Sequence, residues 1–190
     1  MSEYRRRLPH LHPEDAYLFL TWRLWGSLPS RKDCALYPSS GHAFAARDRI
    51  LDRSSSGPLW LRDSRVADLV AEAILIGEVE RHFYELYAWV VMPNHVHLLI
   101  LPRVAVSALM RWLKGSTARR ANIILLRTGQ PFWQDESYDH YLRDAARMGK
   151  TIDYIENNPV TAGLVDSAER WRWSSAGWPA PPRKARCIRS

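Results

Sequence analysis

Two apolar stretches, residues 84–92 and 95–101, stand only Pro93-Asn94 apart, and this spacing constrains the chain more than any other feature. Both read as strands. Proline has no N–H to give a ladder, so Pro93 marks the turn between them. The same interruption rules out a membrane span: the longest apolar run, residues 86–101, is broken by Pro93, Asn94, His95 and His97, where a spanning helix needs about 20 apolar residues.

The flanking segments supply the rest of a sheet. Residues 16–25 alternate, with Leu18, Leu20, Trp22 and Leu24 on one side and Tyr17, Phe19, Thr21 and Arg23 on the other, the pattern of a half-buried strand. Residues 65–82 place Val66, Leu69, Val70, Ala73 and Ile74 at helical spacing along one face. Residues 105–127 read as a second helix with Leu109, Leu113, Ile124 and Leu125 inward, and 132–141 as a fourth strand. Residues 145–158 form a third helix stopped by Pro159, because the residue before proline resists the α region. The order β-α-β-β-α-β-α predicts an α+β fold, ferredoxin-like or RRM-like βαββαβ: a four-stranded antiparallel sheet, helices packed on one face, and an added C-terminal helix. A basic segment at 1–15, a body at 16–165 with an insertion at 26–64, and a Trp/Pro/Arg-rich strap and tail at 166–190 complete the expected organisation. A short helix at 44–51 is expected inside the insertion.

Charge points to a partner. Lys and Arg number 27 against 20 Asp and Glu, giving +7, and only Lys32, Lys114, Lys150 and Lys184 among the cations are lysine. The planar arginine fork suits phosphates and base edges, although a GC-rich genome also writes Arg for Lys. Nine tryptophans and eight tyrosines add stacking surfaces for unpaired bases. Two cysteines, Cys34 and Cys187, are too few for a disulfide scaffold and read as incidental thiols. The N-terminal residues lack the apolar stretch of a signal peptide, so a cytoplasmic protein is expected.

His95-Val96-His97 is the sharpest chemical feature. A strand repeats every two residues, so both imidazoles project from one face with Cα atoms roughly 6.5–7 Å apart, a spacing at which two nitrogens can meet one divalent ion. The same pair can equally meet water or backbone. On the third helix, at about 100° per residue, Thr151, Tyr154 and Asn158 fall near one line with Arg147, while Met148, Ile152 and Ile155 form the core stripe about 90–100° away. Tyr154 and Asn158 thus sit on the helix shoulder, where a tyrosine either packs or serves as a metal-assisted nucleophile toward phosphorus.

These motifs carry a resemblance. Met92-Pro93-Asn94-His95-Val96-His97-Leu98-Leu99 resembles the His-hydrophobe-His motif of the HUH single-tyrosine transposases. Leu113-Lys114-Gly115-Ser116-Thr117-Ala118, Phe132-Trp133-Gln134, Tyr138-Asp139-His140 with Arg143-Asp144, Tyr154-Ile155-Glu156-Asn157-Asn158-Pro159-Val160 and Trp171-Arg172-Trp173-Ser174-Ser175 follow in that family's order. The nearest branch is the REP-associated tyrosine transposases. The resemblance implies a metal-dependent single-strand DNA endonuclease and strand transferase acting on palindromic-repeat hairpins, as a monomer or homodimer, with no membrane partner and a place on the nucleoid when bound. It implies Mg²⁺ or Mn²⁺ on His95 and His97, with Asn158 completing the site where relatives usually carry Gln. It makes Tyr154 the nucleophile, leaving a 5′-phosphotyrosine and a free 3′-hydroxyl.

Arg5, Arg6 and Arg7, with Tyr4, resemble the N-terminal segment that such enzymes use to read bases. Lys114, Arg119, Arg120, Trp133 and Arg143 are candidates for phosphate and base-stacking contacts, and His140 for a partner of the metal ligands or of DNA. Tyr138 and Tyr141 are nucleophiles by type but, on a strand, are expected to pack or stack. Two other readings share the sequence: a hairpin-binding module of the same fold that does not cut, and an RRM-like RNA binder with Tyr87 and Trp89 as stacking rings.

Overall fold

The computed structural model describes residues 16–28, 50–51, 57–142 and 145–177, with backbone alone at 145 and 146. Strands β1 (Tyr17–Arg23), β2 (Tyr84–Val91), β3 (His95–Pro102) and β4 (Tyr138–Leu142) form one sheet in the order β2-β3-β1-β4, with every neighbour antiparallel. Helices α1 (Ser64–Val79) and α2 (Val106–Ile124) make the crossovers; α3 (Ala145–Glu156) and the single turn α4 (Asn158–Thr161) follow β4. Since β1 and β2 each run antiparallel to β3, they are parallel to one another, and two βαβ units interleave as the element order predicts.

The pleat sorts the side chains into two cores. Leu18, Leu20 and Trp22, with Val96, Leu98 and Ile100, face α1 and α2, where Val66, Leu69, Val70, Ile74, Leu109 and Leu113 close over them. The opposite face, carrying Phe19, Ala88, Val90, Leu99 and Leu142, is covered by Ile155 and the half-buried Met148 and Ile152 of α3. The stripe expected on the third helix is therefore the one that packs. A bulge between Leu86 and Ala88 shifts the parity of β2, which turns Trp89 and Val91 into the α1/α2 core and Ala88 and Val90 to the other side.

Two boundaries differ from expectation, and a third lies largely outside the described residues. The fourth strand starts at Tyr138, not at 132, because Phe132 and Trp133 sink into the α1/α2 core and the polar residues after them leave the ladder. Trp133 makes only an isolated bridge to Leu24. Pro159 stops α3 at Glu156, but the chain resumes a helical turn at Asn158 with the proline in its first turn, where a missing N–H costs nothing. Of the helix expected at 44–51, only Ile50 and Leu51, both helical, lie among the described residues.

The segment after α4 runs along the outer edge of β2: Val91 N–H donates to the Trp173 carbonyl at 2.9 Å, and Ser174 bridges Val90. This covers an edge that would otherwise present unpaired backbone groups. At the other end of the sheet, the Tyr84 hydroxyl donates to the Ile74 carbonyl at 2.5 Å, and its ring lies directly on Gly77, where a Cβ would collide with it. Burial holds the Tyr84 phenol well above the ordinary tyrosine range. Gly77→Ala should accordingly lower stability by about 1–3 kcal/mol, the usual cost of overpacking a close contact. Urea denaturation checks this, and an unchanged midpoint would show that the contact yields freely.

Candidate active site

The register of β1 on β3 builds the site. Thr21 stands opposite His97 and Arg23 opposite His95, so these four side chains share the face that α3 covers. Both histidines are 0 % exposed. Their Nε2 atoms lie 3.0 Å apart, with the rings at 75° to one another. His95 Nδ1 lies 2.6 Å from Asn94 Oδ1, and His97 Nδ1 lies 2.7 Å from Thr21 Oγ1. Phe19, two residues before Thr21 on the same face, stacks on the His97 ring at 5.5 Å.

The third helix brings the phenol to this cluster within the same chain. The Tyr154 ring sits edge-on to His97 at 5.7 Å and to Phe19 at 6.1 Å, while the residue stays 40 % exposed. One turn on, Asn158 is buried, with Nδ2 3.4 Å from His97 Nε2 and with Oδ1 accepting no hydrogen bond. The helix break at Pro159 does not carry Asn158 away, because Asn157 N–H still bonds to the Asp153 carbonyl and holds the turn.

These residues fit a divalent cation. Two imidazole nitrogens 3.0 Å apart match the span of two neighbouring ligands each about 2.1 Å from an ion at a right angle. The Asn158 oxygen, buried and unpartnered, is the oxygen donor that such a set lacks, and turning its amide over presents it to the same point. Among the described residues no further His, Cys, Asp or Glu joins to make a group of three. His95, His97 and Asn158 are themselves uncharged donors, which would leave an ion's charge available to an anion.

The remaining predicted contacts divide. Arg5, Arg6, Arg7 and Arg143 lie outside the described residues. Lys114 is turned inward: its Nζ donates to the carbonyls of Gln134 at 2.9 Å and Asp135 at 3.0 Å, holding the loop before β4. Trp133 does not offer a stacking face. It is 6 % exposed, edge-on to Trp22, with its indole N–H donating to Thr117 Oγ1 at 2.8 Å. Arg119 and Arg120 are exposed on α2, across the sheet from the histidines, and Arg120 pairs with Glu72.

His140 is on the site face, since it pairs with Phe19 across β1 and β4; its ring lies parallel to that of Tyr138, 6.5 Å away. Tyr138 is half-buried, and desolvation, with Asp139 adding to it, raises its phenol above the ordinary range. That makes it a poorer source of phenolate. Tyr141 turns to the other face and packs against the α1/α2 core. Thr21, Phe19, Arg23 and Asn94 are the site-face neighbours that the motifs did not single out. Asn94 was adjacent in sequence, but the other three become legible only once β1 is known to pair with β3.

An unpartnered buried oxygen is a cost to the fold of about 1–3 kcal/mol. Asn158→Leu, which fills the same space without the amide, should therefore hold or raise the cation-free melting temperature. A fall of several degrees would mean that the amide is bonded in a way the fold depends on.

Comparison with known proteins bears on this arrangement. The model of the family described as "Transposase IS200 like" matches residues 63–158, from the N-cap of α1 through Asn158. The "REP-associated tyrosine transposase" of Escherichia coli K12 is 28% identical over 110 residues, covering 56% of this chain and 62% of that protein. The chain thus spans about three-fifths of the length of the curated relatives that it matches. Among solved structures, a REP-associated tyrosine transposase bound to a REP hairpin shares the fold, with a TM-score of 0.57 and 24% identity over 92% of this chain and 82% of that one.

Proposed function

The chain belongs to the IS200-like transposase family, and on that premise we propose that it is a single-strand DNA nicking and strand-transfer enzyme that acts on palindromic-repeat hairpins. The observation that carries the reading is the Tyr154 phenol standing edge-on to His97, with the unpaired Asn158 oxygen one helical turn away. Tyrosine, imidazole pair and oxygen donor all come from one chain, so a monomer holds a complete set and a homodimer is not required for it.

His95, His97 and Asn158 would hold Mg²⁺ or Mn²⁺, which when bound polarises a phosphate oxygen and offsets its growing charge. The neutral donor set suits that task, because the anion that such an ion calls for is the substrate's own phosphate. Tyr154 attacks phosphorus through its phenolic oxygen. The new O–P bond forms as the bond to the 3′ oxygen breaks, and that oxygen leaves as a 3′-hydroxyl after taking up a proton. The phenol's own proton passes to solvent, which its exposed position allows. The 5′ phosphate stays on Tyr154 until another 3′-hydroxyl attacks it, and this second attack is the strand transfer.

Phe19 packs against both the His97 ring and the reacting Tyr154 ring and so holds the nucleophile beside the imidazole. Tyr138 and His140, on the same face of the edge strand β4, offer parallel rings to unpaired bases next to the scissile phosphate. Arg5, Arg6 and Arg7 are assigned to bases near the hairpin and Arg143 to phosphate and base-stacking contacts, in keeping with the chain's net charge of +7. No helix among the described residues is long and apolar enough to cross a membrane, and chromosomal repeats in the cytoplasm are the proposed target.

Incubating the chain with a single-stranded hairpin oligonucleotide and Mn²⁺ should give a covalent adduct that survives denaturing gels and disappears with EDTA. Tyr154→Phe should abolish it while hairpin affinity changes by no more than about 1 kcal/mol, the net worth of one hydroxyl hydrogen bond. An adduct that persists in Tyr154→Phe would move the nucleophile elsewhere. Tight binding with no adduct in the wild type would make the chain a hairpin-binding module.

A further inference from the structure

The two histidines are held differently at their outer nitrogens, and the difference begins at a backbone carbonyl. The Leu51 carbonyl only accepts, so the Asn94 amide must turn its NH₂ toward it; Nδ2 donates there at 3.0 Å. Asn94 Oδ1 is thereby aimed at His95 Nδ1, 2.6 Å away. An amide oxygen also only accepts, so His95 carries its proton on Nδ1 and leaves Nε2 with a bare lone pair.

His97 Nδ1 meets the Thr21 hydroxyl instead, at 2.7 Å, and a hydroxyl both donates and accepts. The two Nε2 atoms face each other at 3.0 Å, and two bare lone pairs at that distance repel. Without a cation, His97 therefore holds its proton on Nε2 and donates it to His95 Nε2 at 3.0 Å rather than accepting from the Asn158 amide at the longer 3.4 Å, while Thr21 donates to His97 Nδ1. A cation between the rings needs both lone pairs, so the His97 proton must then reside on Nδ1, donated to a Thr21 hydroxyl that has rotated to accept.

We propose that Asn94 and Thr21 are positioning residues of the cation site: Asn94, locked by the Leu51 carbonyl, presets His95, and Thr21 lets His97 exchange one neutral tautomer for the other as the ion arrives. One proton leaves Nε2 for solvent and one is taken up at Nδ1, so the ring stays neutral. This gives the long connection between β1 and α1 a task. Its Leu51, 4 % exposed, is the outermost link in a chain that ends at a cation ligand. The backbone of Asn94 is pinned as well, with its carbonyl accepting from Leu24 N–H at 2.8 Å, so the amide is held on a fixed turn. The inference rests on the cation reading of the preceding subsection.

The test uses the full chain with ¹⁵N-labelled histidine and two readouts. Long-range ¹H–¹⁵N correlations should show His95 as the Nδ1–H tautomer and His97 as the Nε2–H tautomer without metal, with His97 converting to Nδ1–H when Mg²⁺ is added. Calorimetric titration with Mn²⁺ should show Thr21→Val and Asn94→Leu each weakened about 10- to 100-fold, and Thr21→Ser restored to within about twofold. If Asn94→Leu does not fold, the near-isosteric Thr21→Val and its serine rescue decide. Overturning results are His95 found protonated on Nε2, or Thr21→Val binding Mn²⁺ as tightly as the wild type. A wild-type chain that takes up no Mn²⁺ overturns the cation reading itself, and this inference with it.

Discussion

The pairing of β1 with β3 is the constraint on which the rest depends. Because Thr21 lies opposite His97 and Arg23 opposite His95, the pleat delivers two imidazoles, a hydroxyl and the Phe19 ring to one patch of sheet. A slip of one residue would send His95 and His97 into the apolar core beneath α1 and α2. That register is itself held by the alternation of Leu18, Leu20 and Trp22 against Val96, Leu98 and Ile100 on the opposite face. The hydrophobic core therefore sets the geometry of the polar site, although the two share no side chain.

Covering that site makes a second demand. Two fully buried histidines need partners, and each has one at its outer nitrogen. The α3 helix closes over them with Ile155, Met148 and Ile152, and in doing so it carries Tyr154 to the rim and Asn158 to the floor. The exposed phenol and the buried amide are two consequences of one helix orientation. The fold tolerates an unpaired oxygen there, a cost of about 1–3 kcal/mol that stability alone would not retain.

Much of this was legible in the sequence. The alternation at 16–25, the helical spacing of Val66, Leu69, Val70, Ala73 and Ile74, and the Pro93-Asn94 break suffice for the succession of strands and helices along the chain, because they are local periodicities that the tertiary structure preserves. The stripe of Met148, Ile152 and Ile155 placed Tyr154 on the shoulder of α3 for the same reason, whereas Asn158, expected beside it half in and half out, lies past the end of that helix in α4 and is buried. Positions set by long-range contact were not legible. Phe132 and Trp133 look like strand residues, but they are drawn into the α1/α2 core. Lys114 looks like a free phosphate ligand, but nearby carbonyls capture it. The basic residues of α2 lie on the wrong side of the sheet for the histidines, a fact that helical spacing alone does not contain.

The central claim is that one cation belongs between the two histidine Nε2 atoms, beside the Tyr154 phenol. Anomalous diffraction from crystals of the chain soaked in Mn²⁺ tests it most directly. The account predicts one strong peak about 2.0–2.3 Å from both Nε2 atoms, with the Asn158 oxygen turned toward it. A peak elsewhere, or imidazoles still 3.0 Å apart with no density between them, would contradict it.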